Sequence, residues 1–186
     1  MDKLDLFNLM REIVLGVTGV PVAILANQNQ KAPEGEYCSI HVDSSRRQRG
    51  QANVINKDVG PVSSPIGNVF NVEYDIRSQI VADITLNFYR GDANLYASQM
   101  FQANKLPSIQ LLLFEADVGW QGAGPVNDLT ALQSSQQEPR AQTIIRVLYE
   151  QSVLETVNSI YYVLTEIQDE DGNIINSDFI QAPTEP

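Results

Sequence analysis

The sequence predicts an α+β fold: a mainly antiparallel sheet of four to five strands, helices packed on one face, and a long loop or hairpin arm. Three observations carry this expectation. An apolar stripe of helical period opens the chain, residues 79–89 alternate with period two, and residues 142–151 alternate again. With 186 residues the chain is expected to form one domain spanning 1–186. At that length it buries roughly 70% of its unfolded surface without help from a disulfide or a metal.

The first helix is expected over residues 2–17. Leu4, Phe7, Met10, Val14 and Val17 recur every three or four positions, and Leu6, Leu9 and Ile13 widen the stripe. Asp2 and Asp5 suit the positive end of the helix dipole, while Gly16, Gly19 and Pro21 mark the stop. So wide a stripe needs a sheet beneath it. "PVAILANQ" and "EYCSIHVDS" read as two strands parted by a turn built on Pro33 and Gly35. Residues 43–68 then lose all period, being polar and rich in glycine and proline, which predicts an extended hairpin or a functional arm.

In the alternating stretch, Ile80, Ala82, Ile84, Leu86 and Phe88 face one way. Gln79, Asp83, Thr85 and Asn87 face the other, with Val81 an apolar exception. Residues 69–76 lead into this strand as part of one ribbon. A helix is expected over 93–105, ended by Pro107, and "IQLLLFEA" fits helix or strand. Residues 119–138 read as irregular. In the later strand Thr143, Ile145, Val147 and Tyr149 oppose Ile144, Arg146, Leu148 and Glu150. Residues 160–167 make a further strand, "DEDGNI" supplies a tight turn, and the tail, 181–186, is expected to fray. Val81 and Ile144 on the outward side of the sheet leave a second face in want of cover, a first hint of assembly.

Twenty-three acids face twelve bases, for a net charge of −11, which opposes tight non-specific binding of nucleic acid. The same charge keeps subunits soluble before they meet a partner. Cys38 is the single cysteine, so no internal disulfide forms. The opening residues lack the basic segment and unbroken apolar core of a signal peptide. Apolar runs also fall far short of the ~20 residues of a membrane span. A soluble chain made in the cytoplasm, with no membrane partner, is the expectation.

Catalytic and ligand chemistry is sparse. Cys38 and His41 lie three apart on a strand, so they point to opposite faces and cannot converge on a metal or form a nucleophile pair. "DEDGN" places its glycine fourth, whereas a calcium loop needs it sixth. "GWQGAGP" is neither a dinucleotide fingerprint nor a phosphate loop with its lysine, and Trp120 within it suits a core or an interface anchor. No nucleophile stands with a base and an orienting group. Neither enzyme activity, cofactor nor metal is expected.

Arg46, Arg47 and Arg49 form a basic knot in an acidic chain. They read as solvated loop, as the complement of an acidic patch on an identical subunit, or as a nucleic-acid contact. Glu138-Pro139-Arg140 stands before the long late strand, where Pro139 fixes φ and removes a donor. Glu138 and Arg140 are candidates for a charge pair within or between subunits.

Two segments carry a resemblance. "GVPVAILANQNQKAPEGEYCSIHV" (residues 19–42) and "GPVNDLTALQSSQQEPRAQTIIRVLYEQS" (residues 124–152) resemble the tail-terminator (neck) proteins of tailed bacteriophages, with order and spacing agreeing along nearly the whole chain. The chain departs from that pattern in placing Pro33 four residues before Tyr37 and in carrying a longer arm at 43–68. The resemblance implies a structural virion protein of the neck: a ring, expected to be a hexamer, that ends the tail tube. Its implied partners are further copies of itself, the tail tube protein, the head-side connector or adaptor, and the sheath, with DNA passing through unbound. Another ring component of the head–tail junction, an adaptor or stopper, is the alternative within the same setting.

Overall fold

The computed structural model describes residues 2–29, 31–42, 46–64, 67–133, 136–159 and 162–181. The chain divides into two compact units, one of Met1–Ala52 and Ser78–Gln151, the other of Asn53–Arg77 and Ser152–Pro186.

The first unit opens with α1 (Lys3–Thr18). The Asp2 side chain accepts hydrogen bonds from the amides of Leu4 and Asp5, and the Asp5 carboxylate accepts from the Asp2 amide, so three otherwise orphaned donors are satisfied, two of them reciprocally. Gly19 closes the helix at φ 70°, where its amide donates to the Leu15 carbonyl. Leu6, Met10, Ile13 and Val14 are fully buried, at the i, i+4, i+7, i+8 spacing of one helix face. They join a single apolar cluster with Ile40, Val42, Ile84, Leu86, Phe88 and Ile145. Each such burial contributes about 1.5–3 kcal/mol.

The strands of this unit run in the order β1 (Ala23–Leu25), β2 (Tyr37–Val42), β5 (Gly67–Tyr89), β10 (Arg140–Ser159), β6 (Val118–Ala123). The β1–β2 ladder is parallel, whereas β2–β5 and β10–β6 are antiparallel. Two short ladders attach beside these, β3 (Arg47–Gln48) on β5 and β7 (Asn127–Asp128) on β10. With the hairpin strand β4 (Asn53–Ser64), eight strands share one sheet, against the four to five expected. The difference lies in β3 and β7, two residues each and too short to display a period of two, and in β4 and β6, which fall in stretches that read as arm and as irregular chain. The alternation itself is as read: Thr143, Ile145, Val147 and Tyr149 are buried, and Ile144 is 38% exposed. Val81 is covered within the chain, at 7% exposure, and so asks for no partner.

Between β5 and β6 lie α2 (Ala93–Gln99), a 3-10 turn (Ala103–Lys105) and α3 (Pro107–Glu115). Pro107 starts a helix here, contrary to the expectation that it ends one. Its missing N–H falls at the first helical position, where no intrahelical acceptor exists, and the extended Leu106 before it satisfies the steric demand of proline. The expected irregular stretch 119–138 also contains structure: β6, β7 and the small hairpin β8 (Ala131–Gln133) with β9 (Gln136–Glu138). A register shift opposite Arg146 and Val147 leaves Gln121 unpaired between Trp120 and Gly122. The glycine-rich "GWQGAGP" is thus largely a bulged strand with a close approach: a Cβ on Gly124 would stand 3.3 Å from the Ile144 carbonyl oxygen.

In the second unit β4 pairs antiparallel with the first part of β5, from Asn53 opposite Arg77 to Ser64 opposite Gly67. The arm is therefore a long hairpin; residues 43–45 and 65–66 of it lie outside the described residues. Asp75, 3% exposed, receives the Arg77 guanidinium at 2.7 Å. A second hairpin joins β11 (Tyr162–Gln168) to β12 (Ile174–Gln181). Gln181 is thus paired, and 182–186 lie outside the described residues.

The turn of that second hairpin is held by Asp169, whose carboxylate accepts from the Asn173 side chain and amide and from the Asp171 amide. Those bonds, the Asn173 side chain's first, hold its carboxyl below the ordinary aspartate value of 3.8. A depressed folded value contributes stability above the unfolded value, and that contribution is lost as pH falls through the folded one. Acid titration by NMR is expected to show the Asn173 amide signal moving with a midpoint below the ordinary aspartate value of 3.8. A transition near neutral pH would contradict this.

Candidate functional site

The start of β10 is a cross-braced junction, and its centre is Arg90, a residue that no motif in the sequence marks out. Arg90 follows β5 at φ 65°, a left-handed conformation that costs an L-residue roughly 1 kcal/mol or more. Its Nε donates to Glu138 Oε1 at 2.9 Å, and the same guanidinium donates to the carbonyls of Pro33 and Gly35 at 2.9 and 3.1 Å. Its own amide donates to the Pro139 carbonyl at 2.7 Å. One residue therefore ties the loop before β2, the end of β5 and the start of β10. The one available signal is that no other base lies between Arg77 and Lys105.

Glu138 thus has a partner within the chain, Arg90, with the carboxylate side chain 24% exposed. Arg140 sits instead with its guanidinium 4.9 Å above the Tyr89 ring and donates to Asn87 Oδ1 at 3.4 Å, an acceptor shared with Gln142 at 3.0 Å. Its Nε is buried without a hydrogen-bond partner among the described residues. Tyr89 stacks on Tyr37 at 4.5 Å, 7° from parallel, and burial pushes the Tyr37 hydroxyl above its usual pKa. The junction continues through Glu36, which accepts from Tyr96 Oη at 2.6 Å, a bond that raises the tyrosine pKa. A Cβ on Gly91 would collide with the Glu36 carboxylate, and Gly91 also has φ 50°. Gly91→Ala should therefore cost about 1–2 kcal/mol in urea unfolding, and a neutral result would contradict both the Glu36 contact and the strain at φ 50°.

Arg47 and Arg49 are exposed and Arg46 half-buried. Arg47 belongs to β3, and the Arg49 amide donates to the Gln79 carbonyl at 2.7 Å. None of the three makes an ion pair among the described residues. The structure therefore does not bring the knot together with Glu138 and Arg140 in any described contact.

Cys38 is fully buried on β2, where desolvation pushes its thiol pKa well up. His41 lies within 3.4 Å of the Asn27 side chain. Cys38 is expected to resist alkylation in the native protein and to react on unfolding; rapid native labelling would contradict that. Trp120 packs partly against the core. Among the described residues no cluster of three or more His, Cys, Asp or Glu could hold a metal, and no helix is long and apolar enough to cross a membrane.

Two groups stand out among the described residues whose large apolar side chains are exposed. In the second unit Val153 and Leu154 of β10 are 57% and 62% exposed; as strand neighbours they point to opposite faces. In the first unit Leu111 and Phe114 of α3 are exposed. Each group is apolar surface that the described residues leave uncovered. Among individually curated proteins none matches the chain significantly. Residues 4–173 match the family described as phage neck terminator protein, and with that span covering most of its length the chain belongs to this family.

Proposed function

We propose that the chain is the repeating subunit of a ring, expected at six copies, that ends the phage tail tube and meets the head-side connector. A sheath would be a further neighbour, and DNA would pass through the lumen without specific binding. The observation that carries this reading is the far end of β10. Val153 and Leu154 expose apolar surface on both faces of one strand, which a subunit covers only by meeting others. The net charge of −11 supports a lumen that DNA slides past, since it offers few cations to displace phosphate counterions.

Arg46, Arg47 and Arg49 would meet acidic surface on the neighbouring subunit, a long-range complement that raises the rate of encounter. Glu138 and Arg140 would serve the contact indirectly, by fixing how β10 leaves the junction. In light scattering at physiological salt, Val153→Ser with Leu154→Ser is expected to raise the concentration needed for ring formation by tenfold or more. Arg47→Glu with Arg49→Glu should slow assembly and weaken its salt dependence. Rings that form as readily in both double variants would sink the assignment of these surfaces. Retention of duplex DNA by the wild type, lost with Arg46, Arg47 and Arg49 neutralised, would favour a nucleic-acid contact.

A further inference from the structure

The exposed face of α3 shares no residue with the surfaces assigned to the ring. Phe114 is 80% exposed, Leu111 57% and Leu106 43%. Pro107, Leu111 and Phe114 fall at i, i+4 and i+7, one stripe along the helix, while Ile109 and Leu113 are buried on the other side. Beside Leu106 lies a groove of about 400 Å³, lined also by Val17, Ser98, Gln99, Gln102 and Ala103.

Two exposed charges flank this stripe. Lys105 precedes Leu106 and is the only base between Arg90 and Arg140. Glu115 follows Phe114 directly. Neither makes an ion pair among the described residues. Lys105 ends the 3-10 turn just before the extended Leu106 and Glu115 ends α3, so the whole nine-residue helix, about 13 Å of axis, stands between them.

We propose that two copies of this chain pair through α3, antiparallel about a two-fold axis. With the axis between Gln110 and Leu111, Phe114 of each copy lies over Pro107 and the Leu106 groove of the other. Glu115 of each then stands beside Lys105 of the other, twice per pair. A parallel arrangement would set lysine on lysine and glutamate on glutamate, which is why the charges select the antiparallel one. Opposed helix dipoles favour the same choice.

The contact is isologous, so it closes at two copies and cannot itself propagate around a ring. It is therefore independent of the ring reading: it joins free subunits, or one ring to another. Nine helical residues make a contact smaller than a standard interface, so pairing is concentration-dependent.

The test is sedimentation velocity of the full chain across concentration. The wild type is expected to show a doubling step. Phe114→Ser should weaken it about a hundredfold, since the side chain is lost from both halves of the contact. Lys105→Glu or Glu115→Lys alone should weaken it about tenfold, and the two together should return it to within about threefold of wild type.

A second variant reads geometry. Leu111→Cys places a thiol near the axis, and because Cys38 is buried, mild oxidation should yield a disulfide-linked pair that Phe114→Ser suppresses. A wild type with no doubling step, a Phe114→Ser variant that pairs normally, or a double reversal no better than either single one would overturn the proposal. The Val153 and Leu154 variants act on ring closure and leave this doubling unchanged, so the two readings fail separately.

Discussion

Arg90→Ala is expected to lower the unfolding free energy by about 3 kcal/mol in urea titration, more than the loss of any other single polar side chain of the junction. The alanine keeps the unfavourable φ of 65° and the amide bond to Pro139 but removes the side-chain contacts that offset the strain: the Glu138 carboxylate, the carbonyls of Pro33 and Gly35, and the Tyr37 ring. Glu138 is then left half-buried without its cation. Two further substitutions separate the causes. Arg90→Lys keeps the charge but not the planar fork, and should recover less than half of the loss. Arg90→Gly loses the same bonds but adopts φ 65° freely, and should be about 1 kcal/mol more stable than the alanine variant. If alanine and glycine variants melt alike, backbone strain at this position is not part of the account.

Phe88→Ala should cost about 4 kcal/mol. Phe88 is among the largest fully buried side chains, sits opposite Cys38 in the β2–β5 ladder, and touches Tyr96 at a centroid separation of 6.2 Å. Removing it empties the centre of the cluster that joins α1 to the strands, and the residual cavity adds to the lost transfer energy. The contrasting substitution is Leu154→Ala on exposed β10, expected to change unfolding by less than about 0.5 kcal/mol while affecting assembly. A Phe88 variant within about 1 kcal/mol of wild type would mean that this cluster is not the stabilising core.

The elements legible in the sequence are those whose burial follows one period. In α1 the stripe and both ends are readable because Asp2, Asp5 and Gly19 use local hydrogen bonds. The alternation in β5 and β10 is readable where one face is buried. It fails beyond residue 151, since residues 151–157 are exposed on both faces and no pattern distinguishes in from out. Pro107 misleads because proline breaks a helix interior and starts a helix equally well; only the extended Leu106 decides between them.

The charged segment before β10 is visible as a pivot, but its partner is not. Glu138 and Arg140 lie two apart in sequence, and their contacts, Arg90 and Tyr89, come from far earlier in the chain. Spacing carries no information about such a meeting. The consequence for Arg140 is specific. Because its guanidinium covers Tyr89, reversing its charge perturbs the subunit's own structure, and Arg140→Lys is the cleaner probe of assembly.

The most direct test of the central claim is electron microscopy of phage tails assembled without this protein and then supplied with it in gold-labelled form. A closed ring of about six copies at one end of each tube, and nowhere along its length, is the expected image. Label scattered along the tubes, or tubes that bind none while the protein stays monomeric beside them, would contradict the claim that this chain is the ring that ends the tail.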